Sequence, residues 1–464
     1  MTNQHVLAAP GVAPPRRGRW LALAALLLAE AMNLLDATVA QVASPAVRAD
    51  LAASDGQLQW VTAGYTLPFA VLLITGGRIG DILGRRRAFV AGTAAFVLCS
   101  ALCAAAPDIG TLLATRALQG ASAALIIPQT FGLIRAMFDG AERAKALGMI
   151  GPVMALASVC GPVLGGVLTE ADVLGLGWRA VFLLNVPLGL LVLLAAPLVA
   201  DDRSPARPRL DVAGTVLVAA ATGLMIFPLV QGNDVGWAAW TWLCLLAGAA
   251  LFAAFGWHQR SKSRRGASPL VEPGLFRDRV FPASLVSVLL FFAVTNGLMF
   301  VLVLFLQLGG RTGALGAGLG MLPWSLGLAI GSWCAGRYLV PRFGAPVMRV
   351  AVCVLAAGLA GTAMLIDAPW PALMWPLLVS GTGLGMFTVP FFGTALSRVD
   401  HHETGSASGL LNAAQQFGAT AGVAVLGAAF FHLGGSGGTR LALGISLGLL
   451  VFVLALTRPI LRSR

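Results

Sequence analysis

The sequence predicts an all-α polytopic membrane protein with about fourteen helices crossing a bilayer. Three observations carry that prediction. Of the 464 residues, 58% are hydrophobic and only 11% are charged, whereas a soluble domain carries about a quarter charged residues. The apolar residues gather into runs of about 20, the length a helix needs to cross roughly 30 Å of hydrocarbon. Lys and Arg crowd onto alternate connecting segments, the asymmetry of cytoplasmic loops. Length alone would suggest about three soluble domains, but the apolar content overrides it.

In order, the runs are 20–47, 58–77, 88–106, 111–138, 147–168, 178–199 and 212–230, then 239–257, 281–308, 315–340, 347–366, 371–396, 405–433 and 441–456. Residues 1–19 form a tail, with Pro10, Pro14 and Pro15 in a stretch that reads as disordered. Arg16, Arg17 and Arg19 followed by apolar residues imitate a secretion signal, but the run is too long and contains acids. It is retained as the first transmembrane helix.

With the N-terminus inside, every Lys and Arg is cytoplasmic except Arg48, Arg179, Arg311 and Arg440 in outer loops and Arg116 within a run. An even helix count then puts both termini in the cytoplasm of a bacterial inner membrane. The net charge of +12 is explained by that topology and not by nucleic acid. The longest connector, 258–280, is basic, too short for a domain, and has room for a surface helix.

The two halves echo each other. Residues 77–87, between the second and third helices, align on Gly84 with Gly344 between the tenth and eleventh, where Pro341 stands opposite Asp81. The division is therefore a tail (1–19), a six-helix bundle (20–200), two inserted helices with linkers (201–280), a second six-helix bundle (281–457) and a tail (458–464). Repeated halves are typical of transporters that rock about a central site. A monomer is expected.

Buried charge marks where the work is done. Run interiors hold Glu30 and Asp36 in the first helix and Arg116 in the fourth. Asp36 lies about 24 Å up a helix rising outward, and Arg116 about 7 Å down a helix descending from outside. In a core of about 30 Å they share a depth in the outer third, while Glu30 falls near the midplane. Glu30, Asn33 and Asp36 turn by about 60° per step, so the acids point about 120° apart. A carboxylate buried without a charged partner keeps its proton near neutral pH and can carry it. A structural ion pair is the competing reading for either acid.

Four stretches then narrow the family. Residues 77–87, with Gly77, Asp81, Gly84, Arg85 and Arg86, resemble the signature loop of the major facilitator superfamily. Leu35-Asp36-Ala37-Thr38-Val39 with Pro45 resembles the first-helix motif of its fourteen-helix drug:proton antiporters. Arg116-Ala117-Leu118-Gln119-Gly120 is similar to its proton-relay motif. Gly161-Pro162-Val163-Leu164-Gly165-Gly166 is similar to its antiporter motif, with Ala157 where the family has an earlier glycine. The 177–189 and 405–418 stretches add to the likeness. The resemblance implies two bundles latched on the cytoplasmic side by the acid and bases of residues 77–87. It also implies a pivot in the fifth helix, and coupling to the proton gradient with no cofactor. On their own residues, Pro162 removes a backbone donor and Gly161, Gly165 and Gly166 permit close helix approach.

A substrate pocket is expected from Glu30, Asn33, Tyr65, Gln119, Asn296, Trp324, Asn412 and Gln415. Aromatic residues suit a lipophilic substrate and a buried acid suits a cationic one. Several features argue against an enzyme or a metal site. There is no GxxxxGK[ST] loop for ATP. The six cysteines lie in apolar runs without neighbouring acids or imidazoles. Gly434-Gly435-Ser436-Gly437-Gly438 reads as a flexible outer turn and His401-His402-Glu403 as a solvated one. The expected function is proton-coupled export of lipophilic, cationic drugs. The alternatives are a dedicated exporter of one antibiotic or metabolite, a proton-coupled uptake symporter and a membrane sensor.

Overall fold

The computed structural model describes residues 16–172, 175–200, 210–232, 235–267, 269–309, 312–397, 399 and 404–461. Arg311, the 401–403 turn and Arg203, Arg207 and Arg209 lie outside them. In lipid every backbone N–H and C=O must be satisfied within the chain, so the apolar runs become helices. Fourteen described helices are long and apolar enough to span a membrane. They are α1 (Gly18–Leu51), α2 (Asp55–Leu83), α3 (Arg85–Ala104), α4 (Ile109–Met137), α5 (Lys145–Glu170), α6 (Arg179–Leu198) and α7 (Val212–Gln231). Then follow α8 (Ala239–Arg264), α9 (Val280–Leu308), α10 (Ala314–Phe343), α11 (Val347–Leu365), α12 (Trp370–Ala395), α13 (Ala407–Leu433) and α14 (Gly435–Leu461).

The helices overrun their apolar runs wherever polar residues can close the ends. Ser54 and Gln57 form a reciprocal capping box at the start of α2. Asp108 accepts from the Thr111 amide at 2.9 Å to start α4. The glycine- and arginine-rich stretch at 77–83, read from sequence as a loop, is helical. Only Gly84, at φ 99°, breaks the chain between α2 and α3. Gly344, at φ 67°, makes the corresponding break between α10 and α11, and both positions need glycine's freedom. The Gly434–Gly438 stretch is likewise mostly helix. Gly434 and Gly435 turn at positive φ, and a Cβ on Gly438 would sit 2.2 Å from the Phe430 carbonyl oxygen. Among its described residues, the connector after α8 contains a short 3-10 turn, Pro273–Phe276, and no longer surface helix.

Helices α1–α6 pack among themselves, as do α9–α14, and α7 and α8 pair with each other. Helices α1 and α9 are the most enclosed spans, and α8 is the least. The two bundles meet along α2–α13 and α5–α10, and α7 leans on both α2 and α13. Side-chain hydrogen bonds crossing between the bundles run from mid-helix toward the end away from Arg85–Arg87. Thr420 donates to the Thr66 hydroxyl at 2.6 Å, and Ser325 to the Ser158 carbonyl at 2.9 Å. Gln307 donates to the Val42 carbonyl at 2.9 Å, and the Leu315 amide to the Glu170 carboxylate at 2.8 Å. At the arginine-rich end, Gly151 and Pro152 of α5 and Arg337 and Tyr338 of α10 are exposed. Hydrogen bonds thus join the bundles from mid-helix to the end away from Arg85–Arg87.

Candidate functional site

Asp36 and Arg116, placed at one depth by arithmetic, are bonded. Arg116 Nη1 lies 2.6 Å from Asp36 Oδ2, and each side chain is 1% exposed. Nε donates to the Val61 carbonyl at 3.1 Å, and Nη1 also donates to Gln119 Oε1 at 2.8 Å. The guanidinium lies over the Tyr65 ring at 4.5 Å and near Phe182 at 5.5 Å. Desolvated cation–π contacts are worth about 2 kcal/mol or more.

The second oxygen of Asp36 is also taken. Oδ1 accepts from Gln119 Nε2 at 2.9 Å and from Asn185 Nδ2 at 2.7 Å. Gln119 Nε2 also donates to Ser100 at 2.7 Å. Helices α1, α2, α3, α4 and α6 therefore converge on a single ion pair inside the first bundle.

Glu30 is treated differently. It is 7% exposed, its Oε1 has no hydrogen-bond partner, and no described cation pairs with it. Thr130 faces it, and the Thr130 hydroxyl also lacks a partner. Asn33 and Tyr65 lie together beside this group, and Asn33 Nδ2 and Tyr65 Oη are likewise buried and unpartnered. Burying a carboxyl group without a countercharge is costly, which marks Glu30 as a functional candidate.

Two residues expected at a substrate pocket also take part in the ion-pair network. Gln119 is fully buried and bonds Asp36, Arg116 and Ser100. Tyr65, 1% exposed beneath Arg116, offers its ring to the guanidinium. Both fall where α4 and α2 close on α1, a packing that a one-dimensional reading of polarity does not resolve. In the second bundle, Asn296 and Asn412 bond back to their own helices at Phe292 and Ser408. Trp324 is 3% exposed and Gln415 half-buried. No hydrogen bond gathers these four into one group.

Asn185 was missed as a ligand of Asp36. It lies seven residues into a run descending from the outer face, about 10 Å down, which is close to the depth of Arg116. The same arithmetic would have found it.

The glycines of α5 have assigned neighbours. A Cβ on Gly161 would lie 2.0 Å from Thr38 Oγ1, and one on Gly165 3.1 Å from Val39 Cα, both in α1. A Cβ on Gly166 would lie 2.7 Å from the Ala314 carbonyl oxygen, and one on Gly318 2.2 Å from the Pro162 carbonyl oxygen. Helix α5 thus presses on α1 with one face and on α10, across the bundle seam, with another. In the 77–87 stretch, Asp81 pairs with Arg85 one turn on at 3.0 Å, while Arg85 packs over Gly132 of α4.

Buried charge inside a lipid-spanning scaffold of two bundles defines a membrane transporter and not an enzyme. The chain belongs to the Major Facilitator Superfamily, whose profile matches residues 26–423. It is 45% identical to a "Probable actinorhodin transporter" of Streptomyces coelicolor over 92% of this chain and 75% of that one. It is 37% identical to a puromycin resistance protein of Streptomyces alboniger, covering 89% and 82% of the two chains. A tetracenomycin C resistance and export protein of Streptomyces glaucescens is 33% identical, covering 89% and 76%. The fold is similar to that of a POT family transporter solved with 5-aminolevulinic acid. The TM-score is 0.70 at 13% identity, over 95% and 96% of the chains.

Proposed function

We propose that the protein is a proton-coupled exporter of lipophilic, antibiotic-like compounds, acting by alternating access as a monomer in the bacterial cytoplasmic membrane. The observation that carries this reading is the unequal treatment of two acids on one helix. Asp36 has a cation and two amide donors, whereas Glu30 has none. A proton or a cationic substrate can each neutralise Glu30, so the two compete, and that competition is the coupling. The Asp36–Arg116 pair ties α1 to α2 and α4 and passes the change at Glu30 into the packing of the bundle. The arginine-rich end lies in the cytosol with both termini, and the joined end faces out, so substrate enters from the inside.

A dedicated exporter is the second reading. Three relatives are each named for one antibiotic: actinorhodin, puromycin and tetracenomycin C. A resistance panel in a pump-deleted host separates the two, since a multidrug pump protects against several chemical classes and a dedicated one against a single class. In either case Glu30→Gln should lower resistance to cationic compounds at least tenfold with wild-type amounts of protein in the membrane. Full resistance in both Glu30→Gln and Asp36→Asn cells would sink the proton-coupled reading.

A further inference from the structure

The two inserted helices carry a buried polar circuit that the transport site does not use. Asp211, 3% exposed, caps α7 by accepting from the Gly214 amide at 3.0 Å. It also accepts from Lys262 at 2.9 Å, His258 at 3.1 Å and Gln259 Nε2 at 3.0 Å, all at the end of α8. Gln259 is 3% exposed, and its Oε1 accepts from the Leu270 amide at 2.7 Å and the Val271 amide at 3.3 Å. Arg78, at the end of α2, donates to the Pro269 carbonyl. Thr75 of α2 meets Thr215 of α7, hydroxyl to hydroxyl, at 2.9 Å. The loop of contacts closes on itself: α2 to α7, α7 to α8, α8 to the 269–271 segment, and back to α2.

The next residues of the connector, the Pro273–Phe276 turn, lie against α9 as well as α8. Leu275 is 5% exposed within the hydrophobic core of the second bundle, and Phe276 packs edge-on against Phe281 of α9. Between Val271 and Leu275 stand only Glu272, Pro273 and Gly274.

We infer that the inserted pair is a clamp that fixes the start of the α8–α9 connector to α2, so that residues 272–274 form the hinge when the bundles rock. Gln259 and Asp211 are positioning residues in this device. They act by holding backbone and touch no substrate, so the inference stands whatever the cargo or coupling ion. Burial pushes the Asp211 carboxyl up, but the bonds from Lys262, His258, Gln259 and the Gly214 amide outweigh it and hold it well below the usual carboxylate range. A depressed group contributes its stability in full above the unfolded value of about 4 and loses it only as pH falls through the lower folded value. The clamp is therefore intact at cytosolic pH.

Two measurements on the full-length protein test this. In Gln259→Leu, the Leu270 and Val271 amides should exchange hydrogen at least tenfold faster than in wild type, and the maximal transport rate should fall several-fold with the half-saturating concentration unchanged. Exchange at the wild-type rate would overturn the inference. The second uses Thr75→Cys with Thr215→Cys. If α7 travels with α2, oxidising this pair to a disulfide leaves transport within about twofold of the reduced protein. Loss of transport on oxidation, regained on reduction, would show that α7 slides past α2 and would also overturn it.

Discussion

Arg116→Ala should cost about 3–5 kcal/mol of stability, because removing one partner of a buried ion pair leaves the other uncompensated. The loss is not confined to one bond. Arg116 also holds the Val61 carbonyl, Gln119 and the face of Tyr65, so α2 and α4 lose their common anchor on α1. In detergent the variant should unfold at a markedly lower temperature and transport nothing measurable. Arg116→Lys should recover part of the stability, since an ammonium can meet Asp36 but lacks the planar fork that reaches the other partners. The double variant Asp36→Asn/Arg116→Gln removes both charges and should be more stable than Arg116→Ala while remaining inactive. Thermal unfolding of the four purified proteins checks the order. Equal stability of Arg116→Ala and wild type would mean that the pair holds nothing together.

The second large effect is expected at the bundle seam. Gly166→Val places a Cβ 2.7 Å from the Ala314 carbonyl oxygen and from Leu315 Cα, so α5 and α10 must part at the joined end. Overpacking of this kind costs about 1–3 kcal/mol. Here it falls on the closed state, because the contact exists only while the two bundles meet there. That corresponds to roughly a 5- to 150-fold shift toward the opposite opening. A cysteine introduced at Thr312 should then react faster with a membrane-impermeant thiol reagent added outside. Gly151→Val is the control, since a Cβ there meets nothing within 4 Å. Equal labelling in Gly166→Val and wild type would contradict the assignment of this seam as a gate.

Much of the fold was legible because lipid imposes it. A run of about 20 apolar residues has no spanning alternative to a helix, and all fourteen runs became helices. Their ends were less legible, because apolar runs record bilayer thickness, whereas Ser54, Asp108 and Asp211 set where helices begin. The Asp36–Arg116 contact could be read from depth, since rise per residue is fixed. Asn185 was open to the same arithmetic, but Gln119 and Tyr65 were not, because they have alternatives that only the azimuth of each helix decides. The clamp at Asp211 was invisible for a different reason. Lys262, His258 and Arg78 sit in segments whose positive charge is fully accounted for by topology, so their specific partners left no separate trace in the sequence.

The proposed coupling makes Glu30 the exchangeable group and Asp36 the fixed one. It is tested most directly by proton release from purified, detergent-solubilised protein on adding a cationic substrate in weakly buffered solution. Release is expected from wild type, none from Glu30→Gln, and a residual release from Asp36→Asn wherever that variant still binds substrate. Undiminished release from Glu30→Gln, together with its loss in a substrate-binding Asp36→Asn, would contradict it.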